Sequence, residues 1–279
     1  MNDGLKRSLA IAAMVWAMVC LGVPASEAQM ITAHRGASYD APENTLAAFN
    51  LAWQQGADAI EGDFYLSADG RIVCIHDKDT LRTAGIKKIV EKTTFAELRA
   101  LEAGGWKSDV FREEKIPSFE EVLATVPEGK RFVIELKSGI QIVPVLKHEL
   151  DRLAPARDSL LIISFDAESI AKCKQLMPDI RAHWLTSFKP AGGGKNAKPL
   201  NAIDVARTVR HCGADGVGMK GDLGIIDRRF IQTLRSEGCA EFHVWTIDDV
   251  AEAQYFKSLG AVGITTNRPA FIKDSLSQP

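Results

Sequence analysis

Gly56-Ala57-Asp58-Ala59-Ile60, Gly213-Ala214-Asp215-Gly216-Val217 and Gly260-Ala261-Val262-Gly263-Ile264 are three near-copies of one junction. In each, a glycine closes an amphipathic stretch and an apolar run begins at once. A glycine just past a helix takes the left-handed C-cap conformation at no steric cost, so each copy reads as a helix followed directly by a strand. Outward from these joints the same rhythm fills the chain. Apolar runs near 30–34, 58–64, 131–136, 159–165, 181–186, 215–219, 242–246 and 262–265 read as strands. Helical periodicity covers 44–54, 142–153, 167–176, 202–211, 227–236 and 250–259. Eight strands alternating with helices predict an α/β fold, a parallel (β/α)8 TIM barrel. An open doubly wound sheet is the competing arrangement, but no G-x-G-x-x-G follows the first strand to support it.

One stretch interrupts the rhythm. Residues 77–116 are mostly polar, contain Gly85, Gly104 and Gly105, and are too long for an ordinary connection. They read as a small insertion after the second strand, standing over one barrel end. Residues 1–28 read as a signal peptide: Lys6 and Arg7 precede an apolar run from Leu9 to Val23, then Pro24 and the small-residue pattern Ser26-Glu27-Ala28. The run is shorter than the roughly 20 residues of a spanning helix, so no stable membrane span is expected after cleavage, and a retained amphiphilic anchor is the alternative. The remaining 29–279 is one barrel domain, expected to be periplasmic or secreted.

The charge is balanced, with 34 Lys plus Arg against 36 Asp plus Glu and a net charge of -2. Removing the leader takes away Asp3, Lys6, Arg7 and Glu27 and leaves that balance unchanged. A nucleic-acid binder usually carries a marked basic excess, so no nucleic-acid partner is expected. Cys74, Cys173, Cys212 and Cys239 remain after the leader, with no C-x-x-C pair. Cys74 reads as a small buried hydrophobe, whereas Cys212 and Cys239 each close a helix just before a strand, where a bridge between neighbouring units is one option.

Polar residues recur at the C-terminal ends of predicted strands, where barrel enzymes carry their chemistry. The first strand ends in His34-Arg35-Gly36, and Pro42-Glu43-Asn44-Thr45 leads into the next helix. That segment also suits a cap, with Asn44 or Thr45 as N-cap. On the second strand Glu61 and Asp63 are two apart, so they share a face. Two carboxylates close together in a partly dry site repel by several kcal/mol, roughly, unless a proton or cation lies between them. A hard divalent cation, Ca²⁺ or Mg²⁺, relieves the conflict through oxygen ligands, while a solvated strand end is the bland reading. The third strand repeats the device with Glu135 and Lys137, as a structural ion pair or as part of one polar site with Glu61 and Asp63. His76-Asp77 closes the hairpin-like run that begins at Asp69-Gly70. With His34 it makes an acid and base pair conceivable, both rings titrating near neutral pH. His148, in a charged helix, and His211, before a C-cap glycine, read as structural.

Taken in order, His34-Arg35-Gly36, Pro42-Glu43-Asn44-Thr45, Gly56-Ala57-Asp58, Glu61-x-Asp63, Asp69-Gly70, His76-Asp77, Ile134-Glu135-Leu136-Lys137 and Thr265-Thr266-Asn267-Arg268-Pro269 resemble the glycerophosphodiester phosphodiesterase family. The likeness runs over essentially the whole mature chain. It implies a (β/α)8 barrel and a divalent-cation-dependent hydrolase (Ca²⁺ or Mg²⁺) that splits a small-molecule glycerophosphodiester into an alcohol and glycerol 3-phosphate. It further implies His34 and His76 as general acid and base, Arg35 and Lys137 on the phosphate, and Glu61, Asp63 and Glu135 as metal ligands. Phe165, Trp184 and Trp245 are candidates to receive the rest of the substrate; Trp245 is preferred because Val244-Trp245-Thr246 resembles the family's seventh strand, and core packing is the alternative for Trp184. Lys220 either adds charge at the mouth or is solvated. The family commonly has Asp where this chain has Val262 and Asn267; both positions read as structural, so the chemistry is expected to survive while the C-terminal loop geometry is open. Two other functions stay in view: a lysophospholipase D-like enzyme on a similar barrel, and a non-catalytic phosphodiester-binding protein.

Overall fold

The computed structural model describes residues 29–190 and 198–277; the expected leader and its cleavage site lie outside the described residues. Among these, nine strands follow in order: β1 (Met30–His34), β2 (Ala59–Leu66), β3 (Ile72–Cys74), β4 (Arg131–Leu136), β5 (Leu160–Ser164), β6 (Arg181–Thr186), β7 (Gly216–Lys220), β8 (Phe242–Trp245) and β9 (Gly263–Thr266). All except β3 are parallel and hydrogen-bond in a closed ring, β1-β2-β4-β5-β6-β7-β8-β9 and back to β1. The helices are α1 (Leu46–Gln54), α2 (Leu81–Ala84), α3 (Phe95–Arg99), α4 (Phe119–Leu123), α5 (Ile142–Leu153), α6 (Ala167–Leu176), α7 (Ala202–Cys212), α8 (Arg228–Ser236), α9 (Val250–Ser258) and α10 (Pro269–Ser277). This is the eight-stranded barrel the sequence predicts. None of the helices is long and apolar enough to cross a membrane.

The repeated junctions close the ring from below. Gly56, Gly213 and Gly260 all have positive φ, at 77°, 67° and 80°, as the left-handed C-cap requires. The aspartate of the first two copies then holds the preceding strand: Asp58 Oδ2 accepts from Ile31 N at 3.0 Å, and Asp215 Oδ2 from Ala182 N at 2.8 Å. Lys273 and Lys174 neutralise these carboxylates at 2.5 and 2.9 Å. Val262 in the third copy has no carboxylate to offer.

Each strand buries both faces, as a parallel barrel demands. Outward residues such as Ile60, Phe64 and Phe132 join Phe49 of α1 and Phe119 of α4 in the main core, with Phe64 edge-on to Phe119 at 5.4 Å. Inward residues Ala59, Val133, Ile163 and Leu185 pack separately in the lumen. His183 and His243 stack there as well, with ring centroids 5.2 Å apart. Gly218 makes room for them, since a Cβ there would lie 2.4 Å from His243 Nε2.

Four helices escape the sequence periodicity: α2 and α3 of the insertion, four and five residues long, and α4 and α10. Helix α4 is only five residues long and is held by a capping box between Ser118 and Glu121, and α10 begins at Pro269, the last residue of the 265–269 motif. The stretch 77–116 is reached through a hairpin in which β3 runs antiparallel to β2. Val73, Ile75, Val90, Leu98, Leu101, Ala103 and Ile116 form an apolar cluster of its own. The Cys212–Cys239 bridge is not formed: all four described cysteines are buried free thiols. Each of the two turns to its own backbone instead, Cys212 Sγ to Val209 O at 3.5 Å and Cys239 Sγ to Glu241 O at 3.6 Å.

Candidate active site

The ring's register assembles the acids. In it His34 is level with Glu61, and Asp63 with Glu135. Side chains alternate along a strand, so Glu61 and Asp63 point inward with Ala59, and Glu135 points inward with Val133. The three carboxylates are buried, and one ligand oxygen from each lies within 4.8 Å of the others.

The turn after β1 wraps this cluster. Arg35 has φ 56°, and from that left-handed conformation its backbone N–H donates to Glu61 Oε2 at 2.9 Å. Its guanidinium lies 3.2 Å from Asp63 Oδ2 and 2.9 Å from Glu43 Oε1. Gly36 follows with φ 81°, and a Cβ there would sit 2.5 Å from the Ala48 backbone, so only glycine lets the turn lie against α1. Thr45, not Asn44, is the N-cap of α1. Asn44 is a site residue instead: its Nδ2 donates to Asp63 Oδ2 at 2.8 Å and its Oδ1 accepts from Asp63 N at 3.2 Å.

Lys137 turns toward the acids, with Nζ 2.7 Å from Glu135 Oε1 and 3.2 Å from Asp63 Oδ1. Three buried carboxylates therefore share the charges of Lys137 and Arg35, and the shortfall shows in their proton affinities. Burial, Asp63 and Glu135 push Glu61 well above the carboxylate range. Burial and Asp63 push Glu135 up to about 7. Burial also opposes ionisation of Asp63, but Lys137 and Arg35 outweigh it and hold that group low. Glu61 Oε1 is buried with no hydrogen-bond partner, and Asp63 Oδ1 has only the Lys137 ammonium, at 3.2 Å. An unpartnered buried oxygen in an all-oxygen set fits a hard divalent cation.

The two histidines flank this cluster in different settings. His34 Nδ1 lies 2.8 Å from Asn267 Oδ1, and burial with the nearby Arg35 charge lowers its pKa to about 4. His76 Nδ1 lies 2.7 Å from Asp77 Oδ1. Asp77 Oδ2 accepts from Arg82 Nε at 2.6 Å, and Arg82 also donates to Glu43 at 2.9 and 2.8 Å. Glu43 reaches Arg35, so one chain of ion pairs joins the insertion to both histidine segments.

Among the aromatics, Trp245 faces the lumen beside Phe165, with ring centroids 5.4 Å apart. Its Nε1 is buried without a partner. Trp184 belongs to the core, its Nε1 donating to Phe165 O at 3.0 Å. Lys220 is level with Trp245 and exposed. Sequence reasoning missed the contacts of Glu43, Asn44, Arg82 and Asn267 at the site. Glu43, Asn44 and Asn267 lie inside the ordered motifs, but Arg82 carries no local signal.

The glycerophosphoryl diester phosphodiesterase family model matches residues 34–271. The chain belongs to that family. A glycerophosphodiester phosphodiesterase of Bacillus subtilis (strain 168) is 28% identical over 256 residues, covering 86% of this chain and 84% of its own. An Oleispira antarctica phosphodiesterase, solved in complex with the product sn-glycerol-3-phosphate, superposes with a TM-score of 0.79 at 27% identity, covering 89% of this chain and 97% of its own. A glycerophosphodiester phosphodiesterase from Agrobacterium tumefaciens superposes with a TM-score of 0.70 at 27% identity, covering 88% and 99%. The family, the enzyme class and the barrel are those the ordered motifs imply.

Proposed function

We propose that this chain hydrolyses glycerophosphodiesters to an alcohol and glycerol 3-phosphate with the help of a divalent cation, Ca²⁺ or Mg²⁺. The observation that carries the proposal is the buried Glu61, Asp63 and Glu135 cluster, in which Glu61 Oε1 has no hydrogen-bond partner, with His34 level with Glu61 at the C-terminal end of β1 and His76 just past β3. Glu61, Asp63 and Glu135 would hold the cation. When bound, it supplies positive charge to offset the charge that develops on the phosphoryl oxygens.

The chain's own residues divide the remaining work. Arg35 and Lys137 hold the phosphate; Lys137, whose ammonium lies at the mouth on Glu135 and Asp63, would offer its remaining N–H donors to the substrate anion. His34 and His76 move the protons of the attacking and departing oxygens, each role worth roughly 10² to 10⁴ in rate. Trp245 presents its unpartnered Nε1–H and ring to the part of the substrate beyond the phosphate. Residues 1–28 direct export to the periplasm or medium, on the strength of the Lys6-Arg7, apolar and Ser26-Glu27-Ala28 pattern.

The test is hydrolysis of glycerophosphocholine and lysophosphatidylcholine by purified protein, with and without EDTA. Release of glycerol 3-phosphate from glycerophosphocholine, abolished by EDTA and restored by Ca²⁺ or Mg²⁺, is expected. Turnover of lysophosphatidylcholine alone would replace this reading with the lysophospholipase D one, and activity indifferent to thorough chelation would remove the cation. Cell fractionation with N-terminal sequencing tests export, the expected mature end lying near Gln29.

A further inference from the structure

His34 has a neutral partner, and that partner is itself held from behind. Asp248, just beyond β8, accepts from Asn267 N at 2.8 Å through Oδ1 and from Asn267 Nδ2 at 2.6 Å through Oδ2. Thr266 Oγ1 adds a third bond to the same carboxylate at 2.8 Å. An ionised carboxylate only accepts, so the amide nitrogen of Asn267 must face Asp248 and its oxygen must face away. That oxygen accepts from Ser38 Oγ at 2.8 Å and lies 2.8 Å from His34 Nδ1. An amide oxygen cannot donate, so the hydrogen of this contact sits on Nδ1. A neutral imidazole carries one N–H, which leaves Nε2 with a lone pair.

We propose that Asp248 and Asn267 are positioning residues that lock His34 in its Nδ1–H tautomer, so that Nε2 is held ready to accept a proton. Two observations set this apart from loop support. Nε2 makes no hydrogen bond among the described residues, and the partner at Nδ1 is an uncharged amide, whereas His76 has the Asp77 carboxylate. A carboxylate stabilises an imidazolium, and an amide far less. In the reaction, the attacking hydroxyl gives its proton to His34 Nε2 as its oxygen bonds to phosphorus, and the bond from phosphorus to the departing oxygen breaks as that oxygen takes a proton from His76.

This inference rests on His34 as a proton-transfer residue, and its test is chosen to stand apart from that reading. In the full chain with ¹⁵N-labelled histidine, long-range ¹H–¹⁵N spectra assigned with His34→Gln should show Nδ1 protonated and Nε2 bare. Asn267→Ala should give a mixture of tautomers, and kcat on glycerophosphocholine should fall roughly 10²-fold or more with KM within about twofold. Asp248→Ala should do the same, and Asp248→Glu should restore part of the loss. A wild-type spectrum with the proton on Nε2, or Asn267→Ala retaining a single Nδ1–H tautomer at full kcat, would overturn the inference. A protein that shows the Nδ1–H spectrum yet turns over no glycerophosphodiester would overturn the proposed function and leave this assignment standing.

Discussion

Acidifying the cation-free protein from pH 8 to pH 5 should weaken its subsequent binding of Ca²⁺ or Mg²⁺ far more than it would at exposed carboxylates, because buried Glu135 takes up a proton. Burial and the charge of Asp63 lift that carboxyl from 4.5 to about 7. For an acid whose folded-state pKa lies above its unfolded one, ionisation costs stability: the cost is full above pH 7, shrinks as pH falls, and is gone below 4.5. At about 1.4 kcal/mol per pH unit, the ionised group costs the cation-free fold about 3 kcal/mol at pH 8. A cation must displace the same proton, so affinity should drop roughly 50-fold between pH 7 and pH 5 from Glu135 alone. Glu61, raised in the same direction, steepens the fall. Calorimetric titration of EDTA-stripped protein across this range measures it. Glu135→Gln should flatten the slope and bind cation more weakly, while raising cation-free stability at pH 8 by about 1–3 kcal/mol, since Lys137 keeps Asp63 as a partner. A dissociation constant that stays level between pH 7 and pH 5, or a cation-free variant less stable than wild type at pH 8, would refute the reasoning.

His34→Ala and His76→Ala should each lower kcat by roughly 10² to 10⁴ with an unchanged circular dichroism spectrum; near-normal turnover in either variant removes that residue from the mechanism. Gly36→Ala sets a Cβ 2.5 Å from the Ala48 backbone at φ 81° and should cost roughly 2 kcal/mol or more in urea unfolding. Burial lowers His243 to about 4, so the stability of its neutral form is complete above pH 6.5 and is lost as pH falls toward 4, about 3 kcal/mol in all. Urea midpoints at pH 7 and pH 4 should show that loss, and His243→Gln should show less of it; equal losses would count against a buried neutral ring.

The barrel was legible because its joints repeat. A glycine that must be left-handed and an apolar run that must follow it are local requirements, and Gly56, Gly213 and Gly260 meet them in the fold as in the sequence. The acids were legible for a related reason: an i, i+2 pair near a strand end has one geometric meaning, so Glu61 with Asp63 and Glu135 with Lys137 could be placed on one face before any fold was known. What escaped was whatever depends on contacts between distant segments. Asp248 and Asn267 meet only because β8 and β9 are neighbours, and Arg82 reaches Glu43 across 39 residues of chain. Asn44 looked like a cap because its neighbour Thr45 is one, and only the closed ring shows its amide on Asp63. The lumen pair His183 and His243 gave no signal either, because a histidine in an apolar strand reads as an isolated irregularity until its partner is across from it.

The separate apolar cluster of the insertion has an engineering consequence. Val90, Leu98, Leu101 and Ile116 pack on Val73 and Ile75, with Tyr65 of β2 against them, so a homologous segment could be grafted with little repacking of the main core only if the β2–β3 hairpin travels with it. The joints that a graft must keep are polar: Arg82 on Glu43 and Asp77, Lys107 Nζ on Ser38 O, Glu114 Oε2 on Ala47 N and Arg99 on Glu121. Of these, the Arg82 joint alone runs through the Asp77 that holds His76 and the Glu43 that holds Arg35, so it is the one whose loss reaches both histidine segments.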